Sequence, residues 1–144
     1  MTNSETSKPS GTRKVLRRIG AVAAGLVLIV ILDVTIDVLM HATGIYPPWF
    51  QPMRTSLWLV AIGYRMVDGT IGGYVAARLA PDRPMAQALA LGIIGLFLSS
   101  AGALATWNKG PEFGPKWYPL ALVVVSLPCA LLGGFLRARQ SRAR

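Results

Sequence analysis

Four separate stretches of this chain, residues 15–40, 56–80, 85–107 and 118–136, are predominantly apolar over the length a helix needs to cross a bilayer. At about 1.5 Å rise per residue, ~20 residues cover a hydrocarbon core of about 30 Å. In lipid each backbone N–H and C=O must be satisfied internally, which leaves helices as the structure for runs of this kind. The fold class this predicts is all-α, an integral membrane four-helix bundle. Composition agrees, since 53% hydrophobic against 15% charged residues is too apolar for an ordinary soluble domain, and 144 residues leave room for one domain. The expected organisation is a disordered basic cytoplasmic tail over 1–14, a transmembrane domain over 15–137 and a second basic cytoplasmic tail over 138–144. Pro81 is placed to stop the second helix, Pro119 to sit in the first turn of the fourth, and Pro128 to kink it.

Fifteen Lys and Arg against six Asp and Glu would fit a nucleic-acid surface in another context, but here the basic residues gather in tails and short loops. Lys8, Arg13, Lys14, Arg17 and Arg18 precede the first run, Arg78 and Arg83 lie between the second and third, and Arg137, Arg139, Arg142 and Arg144 follow the fourth. The other two loops hold only Arg54, Lys109 and Lys116. Eleven against three places both termini in the cytoplasm of a bacterial inner membrane, with no nucleic-acid partner expected. The basic start and the apolar core of the first run also fit a signal peptide. The nearest small-x-small site, Ala42 and Gly44, lies far beyond the usual cleavage distance, so the expectation is a retained helix; the alternative is a cleaved leader followed by three spans. Cys129, the single cysteine, stands in an apolar run and excludes a disulfide framework, a CxxC pair and a thiolate metal site.

Trp49, Trp58, Trp107 and Trp117 all fall in or beside the two outer loops, "TGIYPPWFQPM" and "NKGPEFGPKWYP". Proline and glycine stiffen both loops, which predicts that they fold over the mouth of the bundle; simple interfacial anchoring explains each Trp equally well. "GGYVAAR" at 72–78 and "GGFLRAR" at 133–139 stand 61 residues apart and both close a helix at the cytoplasmic side. This match raises the reading of two parallel helical hairpins related by an axis along the membrane normal.

Charges inside the apolar runs carry the functional expectation. Asp33, Asp37 and His41 recur every four residues on one face of the first helix, and the same row continues inward through Gly25 and Ala21, so it faces protein. On the second helix, Arg65 leads a row with Gly69, Gly73 and Ala77, and Asp68 leads a neighbouring row with Gly72 and Ala76. Gly133 and Gly134 are the matching packing glycines of the fourth helix. Counting from Arg18, Asp33 lies about 22 Å along its helix, some 8 Å below the outer boundary; counting from Trp58, Arg65 lies about 10 Å below it and Asp68 about 15 Å. A lipid-facing charge there costs at least about 2.5 kcal/mol, so Arg65 is expected to bond Asp33, with Asp37 or Asp68 as second partner. Ser99, Ser100 and Ser126 fall at similar depth and would complete a polar pocket opening outward. Three aspartates against one arginine leave negative charge that a proton, a cation or a basic ligand group must answer; the bland alternative keeps Asp37 and His41 in headgroup water and leaves a structural Asp33–Arg65 lock.

Catalytic templates find little. His41 has no Ser or Cys nucleophile motif around it, and HExxH, Walker and Rossmann patterns are absent. Paired membrane aspartates bring intramembrane aspartyl proteases to mind, but Asp68 precedes its glycine and the Gly-x-Gly-Asp signature is missing. No enzyme activity, cofactor or metal is expected. The favoured function is binding or accessory: a charged pocket of Asp33, Asp37, Arg65 and Asp68 for a lipid headgroup or a larger membrane-protein partner. The alternative is a homo-oligomeric proton- or cation-coupled small transporter, which matches small multidrug transporters in size but lacks their first-helix glutamate. "YRMVDGTIGGYVAARLAPDRPMAQALALGIIG" and "GPKWYPLALVVVSLPCALLGG" together resemble small uncharacterised four-span proteins of bacterial inner membranes. The resemblance covers the last two-thirds of the chain, implies fold and compartment, and gives no residue a role.

Overall fold

Helix α1 (Gly11–Ala42) opens residues 11–143, the part of the chain described by the computed structural model; α2 (Thr55–Leu79), α3 (Pro84–Thr106), a short 3-10 turn (Pro111–Phe113) and α4 (Trp117–Arg142) follow. Three helical stretches, α1, α3 and Pro111–Arg142, are long and apolar enough to cross a membrane. The expected second span is a helix of adequate length, yet Arg65, Asp68 and the glycines within α2 leave it less apolar than the others. The end of the first tail is helical where disorder was expected. Residues 11–14 are the first turn of α1, and α4 carries on through 138–142, because Arg, Lys, Gln and Ala are good helix formers with nothing to stop them. Residues 1–10 of the expected disordered tail lie outside the described residues. Pro84 sits at the start of α3, where its missing N–H is harmless, and α4 runs on through Pro128.

Small residues form the interior and large ones face out. Ala61, Ala76, Ala77, Ala88 and Ala130 are buried, whereas Phe97, Leu104 and Val124 are over 70% exposed. That inversion of a soluble core is what membrane helices require: lipid is as apolar as leucine, so association comes from close backbone approach. Gly25 and Gly72 meet at the α1–α2 contact, where a Cβ on Gly25 would stand 2.7 Å from the Gly72 carbonyl oxygen. Gly73 and Gly133 do the same for α2 and α4: a Cβ on either would run into the backbone of the other helix. Gly69 faces Cys129 on α4, and Gly134 faces Ala88 on α3. Thus α2 uses two adjacent rows for two neighbours, Gly72–Ala76 toward α1 and Gly69–Gly73 toward α4, and Arg65 at the head of the second row reaches both helices.

The hairpin match looks different at this level. Gly72 packs within its own hairpin and Gly133 across to the other; Gly73 and Gly134 have the reverse assignment. Residues 61 apart therefore exchange roles, and the shared glycine pair does not repeat one packing unit. Both outer loops do close over the helix ends. Tyr46 is 2% exposed and clusters with Trp58, Ala61 and Tyr118, and Gly114, at φ +94°, lies against the Trp58 ring. Trp58 is therefore a core residue of the roof, not an interfacial anchor. At the opposite end Arg18 Nε and Nη2 donate to the two Asp82 carboxylate oxygens at 3.0 and 2.5 Å, tying α1 to the α2–α3 loop. That guanidinium holds the Asp82 carboxyl below the usual aspartate range.

Candidate functional site

Two helices deliver charge, and a third a hydroxyl group, to the region beneath the roof. Asp33 and Asp37 are one turn apart on α1, Tyr64, Arg65 and Asp68 come from α2, and Tyr118 opens α4. Arg65 is the centre. Its Nη1 lies 3.2 Å from Asp33 Oδ2, its Nη2 donates to Asp37 Oδ2 at 2.8 Å, and its Nε donates to the Tyr118 hydroxyl at 2.9 Å. The Tyr64 hydroxyl donates to Asp37 Oδ1, so both oxygens of Asp37 are engaged. The arginine and both carboxylates are about three-quarters buried.

The residues singled out in the sequence do not all join this cluster. Asp33, Asp37 and Arg65 do, with Asp37 bonded to the guanidinium rather than left in headgroup water. Asp68 is 3% exposed and comes within hydrogen-bonding reach of Asp33 without touching the arginine. One oxygen of each, Asp33 Oδ1 and Asp68 Oδ2, is buried without a partner. His41 makes no contact with the guanidinium but lines the outer of two cavities with Asp37 and Arg65: its ring stacks on Trp49 at 3.5 Å, and its Nδ1–H donates to the Asp37 backbone carbonyl at 2.7 Å. Its place on the aspartate row is geometric only, because one turn further out the roof captures the ring. Ser99 and Ser126 line the inner of two cavities together with Asp33 and Arg65, and the hydroxyls of Ser100 and Ser126 bond carbonyls of their own helices. Tyr64 and Tyr118 belong to the cluster but to none of the charged rows of the sequence. Tyr64 adjoins the buried arginine, which is the signal that was there to find; Tyr118 comes into range only because the roof folds inward.

Two cavities meet at Arg65. The outer one, about 320 Å³, has Asp37 and Arg65 at its floor, with Trp49, Phe50, Trp58 and Phe113 among its aromatic walls and Glu112 on one side. The inner one, about 230 Å³, lies among all four helices and is lined by apolar side chains such as Leu26, Leu98 and Val125, with Asp33 and Arg65 as its charged members. The guanidinium belongs to both walls. No family model, curated protein or solved structure matches this chain.

Phe50 adds a sign of use. Its backbone holds φ +65°, a conformation bulky side chains avoid, and its ring is 82% exposed at the pocket rim. An exposed aromatic kept in a strained backbone has no packing reason visible here; such strain gathers at ligand sites.

Proposed function

We propose that the chain is a four-span protein of a bacterial inner membrane, both termini cytoplasmic, which binds the zwitterionic, amine-bearing headgroup of a phospholipid in the outer cavity. One observation carries the reading: a carboxylate and a guanidinium, Asp37 and Arg65, lie side by side at the floor of a pocket walled by aromatic rings. An ammonium group is attracted by carboxylates and by aromatic faces, and desolvated cation–π contacts contribute about 2 kcal/mol. Two of the five N–H donors of Arg65 are left over from its three contacts and suit a phosphate oxygen. Glu112 on the wall adds to the demand for positive charge.

Native mass spectrometry tests this on protein extracted in mild detergent from vesicles holding phosphatidylethanolamine and phosphatidylglycerol in equal amounts. The expected result is retained phosphatidylethanolamine, with retention in Asp37→Asn lower by roughly tenfold, since a hydrogen bond to a charged group contributes about 1.5–3 kcal/mol. Equal retention of both lipids by the wild type overturns the proposal.

A second reading, proton- or cation-coupled transport by a homo-oligomer, draws on the same arginine lining both cavities, as a residue at a crossing point would. A homodimer that holds a small cation and no phospholipid in that experiment favours it.

A further inference from the structure

We propose that Asp33 and Asp68 form a carboxylic acid–carboxylate pair that binds one proton between them, at neutral pH, inside the bundle. Burial of Asp68 and the two partnerless oxygens supply the geometry. Asp68 is 97% buried by its 3% exposure, Asp68 Oδ2 and Asp33 Oδ1 accept nothing, and the two carboxyls lie within hydrogen-bonding reach. Two ionised carboxylates can only accept, so as anions they would repel each other and leave both buried oxygens without a partner. A single proton changes this. The O–H of one carboxyl donates to the other carboxylate, one formal charge disappears, and no other group has to move.

The elements around the pair offer one positive charge. From α1 comes Asp37, a further anion; α2 supplies Tyr64 and Arg65; α4 supplies Tyr118 and the Cys129 thiol; the first outer loop supplies Tyr46; α3 brings no titratable side chain to this level. Arg65 is the one cation among them, and it already serves Asp33 and Asp37. Among the described residues no three His, Cys, Asp or Glu side chains are grouped so as to hold a metal ion. A proton is a cation small enough to sit between two carboxyls within hydrogen-bonding reach of each other.

The position gives the proton a consequence. Asp33 lines the inner cavity and Asp37 the outer one, and both draw on the same guanidinium. Arg65 contacts Asp33 and Asp37 at once, so a proton shared with Asp68 lowers the negative charge that the first of them presents to the guanidinium, and its loss raises it. The pair is thus a proton site wired to the wall between two cavities, and it stands whether or not the outer cavity takes a lipid headgroup.

Infrared spectroscopy of the full chain in lipid nanodiscs tests it. Free carboxyls, with pKa values of about 4, are ionised at neutral pH, so a protonated-carboxyl carbonyl band seen there comes from a shielded acid. The expected spectrum has such a band, equivalent to one carboxyl per chain. It should move to lower frequency when aspartate is labelled with carbon-13 at the side-chain carboxyl, which separates it from lipid esters and glutamate. Asp33→Asn and Asp68→Asn should each abolish it, and Asp82→Asn should leave it. Absence of an isotope-sensitive band in the wild type at neutral pH overturns the proposal, and so does a band that survives both substitutions. The labelled wild type decides the matter even if a variant fails to fold.

Discussion

At the scale of single residues, Arg65 holds the outer half of the bundle together, and the contacts it makes were partly legible in the sequence. Depth along a helix follows from a fixed rise per residue, so Asp33 and Arg65 coincide in height whatever the loops do. Asp37 follows one turn later on the same face and arrives at the other guanidinium nitrogen. His41 continues the same row, but the first outer loop brings Trp49 across its ring, and no helical periodicity reports where a loop will lie. Tyr118 was hidden for the same reason. Removing the arginine should leave Asp33 and Asp37 buried without a counter-charge, and breaking a buried pair in this way costs on the order of 3 kcal/mol. Arg65→Leu is accordingly expected to lower the folded fraction in detergent sharply, and Asp33→Leu added to it should recover part of the loss. The check is a double-mutant cycle on unfolding in a denaturing detergent titration, with an interaction of about 1 kcal/mol or more expected. Strictly additive losses would refute direct coupling of the two side chains.

Among elements, α2 is the helix that decides the architecture, since α1 packs on one of its glycine rows and α4 on the next. The sequence displayed both rows, because small residues four apart share a face. It did not show which row met which neighbour. The similarity of "GGYVAAR" to "GGFLRAR" even pointed the wrong way, since residues 61 apart face different partners. Contact partners depend on how helices rotate about their own axes, which a local string does not encode. The glycines make a graded prediction. Gly73→Val and Gly133→Val place carbon inside the backbone of the opposing helix, where neither side has a flexible atom to give way, so each is expected to cost about 3 kcal/mol or more. Gly20→Ala and Gly102→Ala meet nothing within 4 Å and should be neutral within about 0.5 kcal/mol. The same detergent titration measures all four. Equal tolerance of the two classes would mean that the α2–α4 contact is not as close as described.

For the molecule as a whole, the charge cluster and the basic residues constrain orientation from opposite ends. The aspartates and Arg65 lie on the side of the two aromatic loops, and the Arg18–Asp82 pair lies on the other. Long apolar runs made the helical class legible at once. The roof was less so: aromatic, Pro- and Gly-rich loops announce stiffness, but whether a Trp anchors in headgroups or packs inward, as Trp58 does, depends on the neighbours it finds. Positive-inside asymmetry rests on Lys and Arg close to helix ends, and eleven of them cluster on the tail-and-short-loop side against three on the aromatic side. Retaining that many positive charges in the cytoplasm predicts a periplasmic roof. Alkaline phosphatase, which folds actively only outside the cytoplasm, should therefore work when inserted at Gly110 and fail when fused after Arg144; a fluorescent protein that matures only in the cytoplasm should give the reverse. The opposite pattern would turn the charged cluster toward the cytoplasm and remove the periplasmic leaflet as the source of any bound headgroup. Moving the balance should move the answer too. Replacing Arg13, Lys14, Arg17 and Arg18 by Gln takes four of the eleven charges away from one side, and the fraction of chains with an active phosphatase at Gly110 should fall. An unchanged fraction would mean that the later helices, with Arg78, Arg83 and the C-terminal arginines, set the orientation without the first.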